Sequence, residues 1–116
     1  MRIFLEKVVL DLEHVTELCA GFGSDEAGGR IPLPANVKAA TRLEDALHLA
    51  ELVVVVVPSH ATRSVYRDMR PFLSHRMILV SATKGIETDS LMRMSEVVFD
   101  ELKEDLDPRF VALSGP

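Results

Sequence analysis

The run Leu52–Val57, one leucine followed by five valines, constrains the fold of this chain more than any other segment. β-Branched side chains favour strands, and a run without polar alternation is typical of a strand that is covered on both faces. Such strands are mostly parallel and belong to α/β sheets, whose ligands bind beyond the carboxyl ends of the strands. The run therefore predicts a buried strand, and the polar residues that follow it are candidates for a ligand site.

Helix and strand patterns alternate after this run. The apolar spacing predicts a helix over 60–69, a strand over Met77–Val80, a helix over 88–102 and a strand over 109–113. Right-handed crossovers make consecutive strands of this kind parallel neighbours in one sheet. The sequence thus predicts an α/β fold, a parallel sheet with flanking helices. The acidic segment Glu101–Asp105 is interpreted as a solvated helix face.

The first 30 residues are less regular. Apolar spacing favours a helix over 5–20, and a strand over Lys7–Leu12 is the alternative. The glycine-rich stretch Gly21–Gly29 invites comparison with a dinucleotide-binding loop, but two acids lie in it and no helix follows. We therefore interpret this stretch as a surface loop.

An extended segment and a short helix precede the valine run. The segment contains two prolines and is predicted to end in a strand over Val37–Ala40. Thr41 and Glu44 have the spacing of a capping box, in which each side chain bonds the other residue's amide. They predict a helix that continues to Ala50, with His48 exposed to solvent.

Composition excludes several classes of protein. The net charge is −5 over 116 residues, and the basic residues are spread singly, so a nucleic-acid partner is not expected. No apolar run approaches the roughly 20 residues of a membrane span, and no signal peptide is evident. Cys19 is the only cysteine, which rules out an intrachain disulfide and makes a reducing cytoplasm the default. No metal site is predicted.

The three predicted strands end in small and polar turns, namely Pro58–His60, Thr83–Gly85 and Ser114–Pro116. Because parallel strands share one carboxyl edge, all three turns should lie along that edge. Lys84 is its only predicted lysine or arginine, directly after a buried strand, and is our first candidate for a functional role.

Two helix starts and one histidine complete the candidate residues. Ser59 and Thr88 are predicted at helix N-termini, whose free amides suit phosphate groups. His60 could act as an acid or base, but no catalytic partner is identifiable, so we interpret it as a polar residue in a first helical turn.

These segments resemble, in order and spacing, the bacterial-type NAD(P)-dependent glycerol-3-phosphate dehydrogenases. The resemblance covers Pro32–Pro116, and its most specific elements are Ser-Ala-Thr-Lys-Gly at 81–85 and Leu-Ser-Gly-Pro at 113–116. It implies a Rossmann-like cofactor domain that holds NAD or NADP. A second, helical domain would complete the site for dihydroxyacetone phosphate.

The resemblance also implies an activity and roles for four residues. The reaction is reversible hydride transfer between the cofactor and dihydroxyacetone phosphate or sn-glycerol 3-phosphate, in phospholipid-precursor metabolism. Lys84 matches a lysine that contacts substrate and cofactor, and Gly115 matches a glycine at the substrate site. Pro58 and Ser59 match a turn against the cofactor. An ammonium at Lys84 could hold the ketone oxygen or its developing alkoxide.

The chain departs from the family pattern at both ends. Residues 1–29 do not show the strand and glycine fingerprint that bind the pyrophosphate, and the helical second domain with its acid–base lysine is absent. We therefore expect an atypical segment over 1–30 and a partial Rossmann domain over 31–116. The chain alone is expected to be inactive and to bind NAD(H) weakly or not at all.

Two other classes of function stay open. A non-catalytic α/β domain for assembly or regulation would explain the missing catalytic half. A flavodoxin-like or receiver-like domain would need a flavin loop or an acidic cluster at the strand ends, and neither is evident. The choice between NAD and NADP, and between a monomer and a homodimer, is open as well.

Overall fold

The computed structural model describes residues 7–8, 22–24, 29–32 and 34–114. It divides into two compact units, Met1–His48 and Leu49–Pro116. The division predicted at residue 30 rests on the sequence resemblance and stays a prediction.

The described part of the first unit contains short strands in two pairs. Strand β1 (Lys7–Val8) pairs in parallel with β4 (Lys38–Ala39), and β2 (Phe22–Ser24) pairs antiparallel with β3 (Arg30–Pro32). The predicted strand over 37–40 is confirmed by β4. Lys7 and Val8 follow the strand alternative, and the rest of the predicted helix over 5–20 lies outside the described residues.

The interpretation of Gly21–Gly29 as a loop is wrong for Phe22–Ser24, which pair with Arg30–Pro32. Strands of three residues are too short to show the alternation by which strands are recognised in a sequence. Pro32 lies at the end of β3, where a missing amide proton is tolerated.

Helix α1 (Leu43–Leu47) is shorter than predicted, and its capping differs. Its N-cap residue is Arg42, without a side-chain capping hydrogen bond, so the predicted capping box of Thr41 is wrong. The Glu44 carboxylate pairs with the Arg42 guanidinium instead of reaching back to Thr41. The side chain of Leu47 is buried and His48 is exposed, as the helical spacing predicted.

The second unit contains the predicted parallel sheet. Strands β5 (Leu52–Val55), β6 (Ile78–Ser81) and β7 (Arg109–Ala112) lie side by side in that order. Helix α2 (Thr62–Met69) connects the first pair and helix α3 (Met94–Leu102) the second. Each strand therefore pairs with the next one along the chain, as crossover connections require. The predicted α/β class is confirmed.

Both helices pack against the same face of this sheet. The Phe99 ring of α3 meets Phe110 of β7 edge to face at 5.9 Å between ring centroids. Phe110 is in register with Leu79, so both point to the side of the sheet that Ser81 also faces. Tyr66 of α2 reaches Ser81, and α2 packs on α3. The core lies between these helices and the sheet.

The other face of the sheet keeps exposed valines. The exposed fractions are 41% for Val54, 71% for Val56 and 49% for Val111. The expectation that the valine strand is covered on both faces is therefore wrong for these side chains. A run of valines reports β-propensity as well as burial, and the sequence pattern does not separate the two.

Tyr66 is completely buried, and its hydroxyl makes no hydrogen bond of standard geometry. Burial raises the pKa of Tyr66, and the nearby Ser81 hydroxyl offsets only part of that effect. A buried hydroxyl without a full partner costs roughly 1–3 kcal/mol of desolvation. The phenol oxygen of Tyr66 therefore destabilises this core, whereas its ring stabilises the core by packing.

We expect Tyr66→Phe to leave the free energy of unfolding unchanged or to raise it by about 1 kcal/mol, because the ring stays and the unpaired hydroxyl goes. Urea unfolding of both proteins measures the difference. Tyr66→Leu is the control that also removes the ring and should destabilise. A loss above about 1 kcal/mol in Tyr66→Phe would show that the hydroxyl is well satisfied.

The described ranges contain neither a candidate membrane-spanning helix nor a candidate metal site. No helix there has both the length and the apolar character to cross a bilayer. No group of three or more His, Cys, Asp or Glu side chains there could hold a metal ion.

Candidate functional site

Two of the three predicted turns meet at the carboxyl edge of the sheet. The Val57 amide donates to the Thr83 hydroxyl at 3.3 Å, which joins the end of β5 to the residues after β6. Two residues later, a Cβ atom at Gly85 would lie 3.7 Å from the Ser59 hydroxyl oxygen. The turns at 58–60 and 83–85 are therefore in contact, as the shared edge of parallel strands predicts.

Gly85 is required here by its backbone rather than by crowding. Its φ is +98°, a conformation that side chains with a Cβ rarely adopt. The space beside it would accept a Cβ at ordinary van der Waals distance. The turn therefore presents bare backbone at the sheet edge, next to a small hydroxyl side chain.

The third turn begins on the same edge. The Leu113 amide donates to the Ser81 carbonyl at 2.8 Å, which extends the pairing of β6 and β7 beyond the last residue of β7. Ser114 follows it and is exposed. Gly115 and Pro116 lie outside the described residues, so the predicted substrate role of Gly115 stays a prediction.

Lys84 lies at this edge and has no partner among the residues that the structure describes. Its side chain is exposed, and no hydrogen bond or ion pair joins it to any residue that the structure describes. An unpaired ammonium beside exposed backbone and hydroxyl groups can meet an anionic or carbonyl oxygen without first breaking an internal bond. The structure is thus consistent with Lys84 as the charged group of the site.

The predicted helix starts at the edge are only partly correct. Ser59 begins a 3₁₀ turn, Ser59–Ala61, and has no capping hydrogen bond, while α2 itself begins at Thr62. Its position at the sheet edge is nevertheless as predicted. Thr88 is not at a helix N-terminus at all, because α3 begins at Met94. The predicted phosphate role of the Thr88 amide is therefore wrong.

The residues predicted as the first two turns of α3 form a closed loop, which we call the 86–93 loop. The Glu87 amide donates to the Met92 carbonyl at 2.9 Å, and the Leu91 amide donates to the Glu87 carbonyl at 2.8 Å. Leu91 has a φ of +57°, which ends any helix before it. The Arg93 amide then donates to the Glu96 carboxylate at 2.8 Å, which caps α3 from within.

An ion-pair cluster ties this loop to both helices, and sequence reasoning missed it. The Arg63 guanidinium binds both carboxylate oxygens of Glu87, at 2.8 and 2.9 Å, and Asp100 of α3 at 2.8 Å. Glu101 accepts from Arg67 at 3.0 Å and from Arg63 at 3.4 Å, and only 9% of its side chain is exposed. The interpretation of Glu101 as part of a solvated face is therefore wrong. The available signal was two arginines four residues apart on α2, which share a helix face.

Because of this cluster, the free energy of unfolding should fall as the pH becomes acidic. The hydrogen bonds from Arg63, and then from Ser90, lower the pKa of Glu87 from 4.5 to about 2. Hydrogen bonds from Lys103 and Arg63 lower the pKa of Asp100, and those from Arg67 lower the pKa of Glu101. Each carboxylate therefore stabilises the fold above its unfolded pKa and loses that contribution as the pH falls.

We expect the urea midpoint to be constant near neutral pH and to fall as the pH drops from 4.5 towards 2. Glu87→Gln should flatten this decline, because glutamine does not titrate there. Glu104→Gln is the control, since no hydrogen bond or ion pair of Glu104 is present among the described residues. An equal decline in all three proteins would contradict the assignment.

A separate open groove of about 370 Å³ lies away from this site. It is lined by Phe99 and the segment Lys103–Pro108, which precedes β7. That position is at the amino end of β7, opposite to the edge where Lys84 lies. The convergence of turns, rather than the cavity, identifies the candidate site.

Sequence comparison places these features in one family. A profile described as "NAD-dependent glycerol-3-phosphate dehydrogenase N-terminus" matches residues 13–116 and so begins upstream of Pro32. A protein of Koribacter versatilis named glycerol-3-phosphate dehydrogenase [NAD(P)+] is 45% identical over 84 residues, which are 72% of this chain and 25% of that protein. One of the same name from Bacillus subtilis is 38% identical over 86 residues, 74% of this chain and 25% of its own length. The chain thus spans about a quarter of these relatives.

Solved structures agree with the fold. A crystal structure of glycerol-3-phosphate dehydrogenase from Coxiella burnetii superposes with a TM-score of 0.73 and 30% identity, covering 90% of this chain and 31% of that one. A ketopantoate reductase of the PanE/ApbA family from Ralstonia eutropha superposes with a TM-score of 0.63 over 91% of this chain and 32% of that one. Its identity is 22%, so this second likeness concerns the fold alone.

Proposed function

The chain belongs to the family of the NAD-dependent glycerol-3-phosphate dehydrogenase N-terminus, and from that premise we propose that it supplies the NAD- or NADP-binding part of such an oxidoreductase. The observation that carries the proposal is the contact between the turns at 58–60 and 83–85, which puts Ser59, Gly85 and Lys84 on one edge, with no partner for Lys84 among the described residues. Residues 31–116 are the proposed partial Rossmann domain, and residues 1–30 are the proposed atypical segment.

The residues at this edge fit a dinucleotide. Exposed backbone at Gly85 and the small Ser59 side chain allow a flat, extended ligand to approach the chain closely. Pro58 and Ser59 would lie against the cofactor, and Lys84 would offer its ammonium to a cofactor or substrate oxygen. When bound, the cofactor supplies the hydride chemistry.

Lys84 and Gly115 are the proposed substrate contacts. The substrate would be sn-glycerol 3-phosphate, which the names of the relatives contain, or its ketone dihydroxyacetone phosphate, which the family resemblance implies. Lys84 would polarise the ketone oxygen and stabilise negative charge that develops on it. The proposal includes a cytoplasmic location and a place in phospholipid-precursor metabolism, both of which the family resemblance implies.

NADH titrated into the isotopically labelled chain tests the proposal, with amide chemical shifts as the readout. We expect weak binding and shifts that cluster at Ser59, Thr83, Lys84 and Gly85. Shifts at the 103–108 groove instead would contradict the site. Micromolar affinity would contradict the expectation that residues 1–30 lack an effective pyrophosphate loop.

A non-catalytic assembly domain is the second candidate. The exposed valines Val54 and Val111 on one face of the sheet favour it, together with exposed Val56 just beyond β5, because exposed apolar side chains are typical of association surfaces. A stable oligomer in sedimentation, together with no NADH-dependent shifts, would favour this candidate. A homodimer that binds NADH is compatible with the first.

A further inference from the structure

We propose that Arg63 is a positioning residue, which fixes the backbone that carries Lys84 without touching the ligand itself. The proposal rests on the proposed function, because Lys84 is the group that would meet the ligand. The hydrogen bonds of Arg63 run to three acids and to Met92, and none of them runs to residues 83–85. Any effect of Arg63 on binding must therefore act through another residue.

The Arg63 side chain uses its full set of donors. Nε and Nη2 each bind one oxygen of Glu87, and Nη1 binds Asp100 and Glu101. The remaining Nη2 proton points to the Met92 sulfur at 3.7 Å. A guanidinium offers five N–H groups in a rigid fork, whereas a lysine ammonium offers three on a flexible stem. Lysine at this position would keep the positive charge but lose the bidentate hydrogen bonding to the Glu87 carboxylate.

The position of Arg63 in the chain connects the two turns of the site. It is the second residue of α2, shortly after the Ser59–Ala61 turn, and Glu87 comes three residues after Lys84. The exposed fractions of the two side chains are 24% for Arg63 and 15% for Glu87, so water screens this pair less than a surface pair. The Arg63 guanidinium thus holds Glu87, two residues after Gly85, which is the residue of this turn that lies next to Ser59.

Lys84 and Gly85 depend on anchors at both ends. On one side, the Thr83 hydroxyl is bound to the Val57 amide. On the other side, Glu87 is bound to Arg63, which α3 holds in turn through Asp100. Between them, Gly85 lies next to Ser59, with room for a Cβ atom at ordinary van der Waals distance from the Ser59 side chain. Loss of the Arg63–Glu87 pair removes the side-chain anchor of this segment on α2, while the backbone bonds of Glu87 to Leu91 and Met92 keep the 86–93 loop closed.

Backbone order parameters of the free protein test the first step. In Arg63→Lys, we expect values for residues 84–87 to fall from about 0.85 towards 0.6, while those of the three sheet strands stay unchanged. Arg67→Lys is the matched control, because Arg67 lies one turn further on α2 and pairs with Glu101 only. Glu87→Gln should reproduce the fall from the other side of the pair. Unchanged order in both Arg63→Lys and Glu87→Gln would overturn the proposal.

A double-mutant cycle tests whether Arg63 acts through Lys84. We expect Arg63→Lys to raise the NADH dissociation constant roughly threefold or more in the parent chain and to have no further effect in Lys84→Ala. Equal effects in both backgrounds would overturn the proposal. If none of the proteins binds NADH, the expectation that the chain alone binds it weakly is wrong, and the order parameters still decide whether Arg63 holds the segment.

Discussion

Leu102→Ala is expected to lower the free energy of unfolding by about 3 kcal/mol, within the roughly 2–5 kcal/mol of buried leucine truncations. Leu102 is the last residue of α3, and its side chain is completely buried beside those of Val97 and Val98. Alanine is the better helix former, so helix propensity accounts for none of the expected loss. The whole effect is packing, and it is a large part of the stability of so small a unit.

Urea unfolding followed by circular dichroism measures this loss, and Leu113→Ala supplies the matched control. Leu113 is the same residue type, but 59% of it is exposed, so its truncation should cost well under half as much. Similar losses in the two variants would show that α3 does not cover the sheet as described.

Lys84→Ala is expected to weaken NADH binding by about 1–3 kcal/mol, the range for a lost charged hydrogen bond. That range corresponds to about a 5- to 150-fold rise in the dissociation constant. Lys84 has no partner among the described residues, so its removal breaks no internal bond. Folding stability should therefore change little while affinity falls.

Arg76→Ala is the control for charge. Arg76→Ala and Lys84→Ala each remove one positive charge. Arg76 is exposed and lies before β6, at the opposite end of the strand from Lys84. A contribution from the net charge of the chain alone would weaken binding equally in the two proteins, whereas a contact at the site would weaken it in Lys84→Ala only. Calorimetric or chemical-shift titration of NADH distinguishes these results.

The sheet and the meeting of two of its turns could be predicted because their sequence signals are local, while the roles of the residues at that edge stay predictions. The strand at Met77–Val80 is confirmed with a shift of one residue, and the one at 109–113 is confirmed as Arg109–Ala112. Once the strands are parallel neighbours, the meeting of the Ser59 and Gly85 turns follows from topology. The family resemblance agreed with this reading and added the chemistry.

The errors arose where side chains far apart in the sequence decide the local structure. The start of α3 was placed at Thr88 because its residues have helical spacing, but Glu87 is held by Arg63 from another helix and closes a loop instead. The valine face was predicted to be buried because valine in strands and valine in cores look the same in one sequence. Neither the start of α3 nor the exposure of the valine face can be predicted from a short window of the sequence.

The sequential pairing of β5, β6 and β7 has a consequence for folding kinetics. Residues in register across the first pair lie 26 positions apart, as Leu52 and Ile78 do, and those across the second lie 31 apart, as Ile78 and Arg109 do. Each pairing must close a loop of this length before its contacts form, so the sheet is expected to fold more slowly than a helical bundle of the same size. The sheet can also grow in the direction of synthesis, each strand docking on the one before it as it emerges. Stopped-flow refolding should then show one exponential phase for this unit, and a slow second phase would indicate that strands must wait for a later part of the chain.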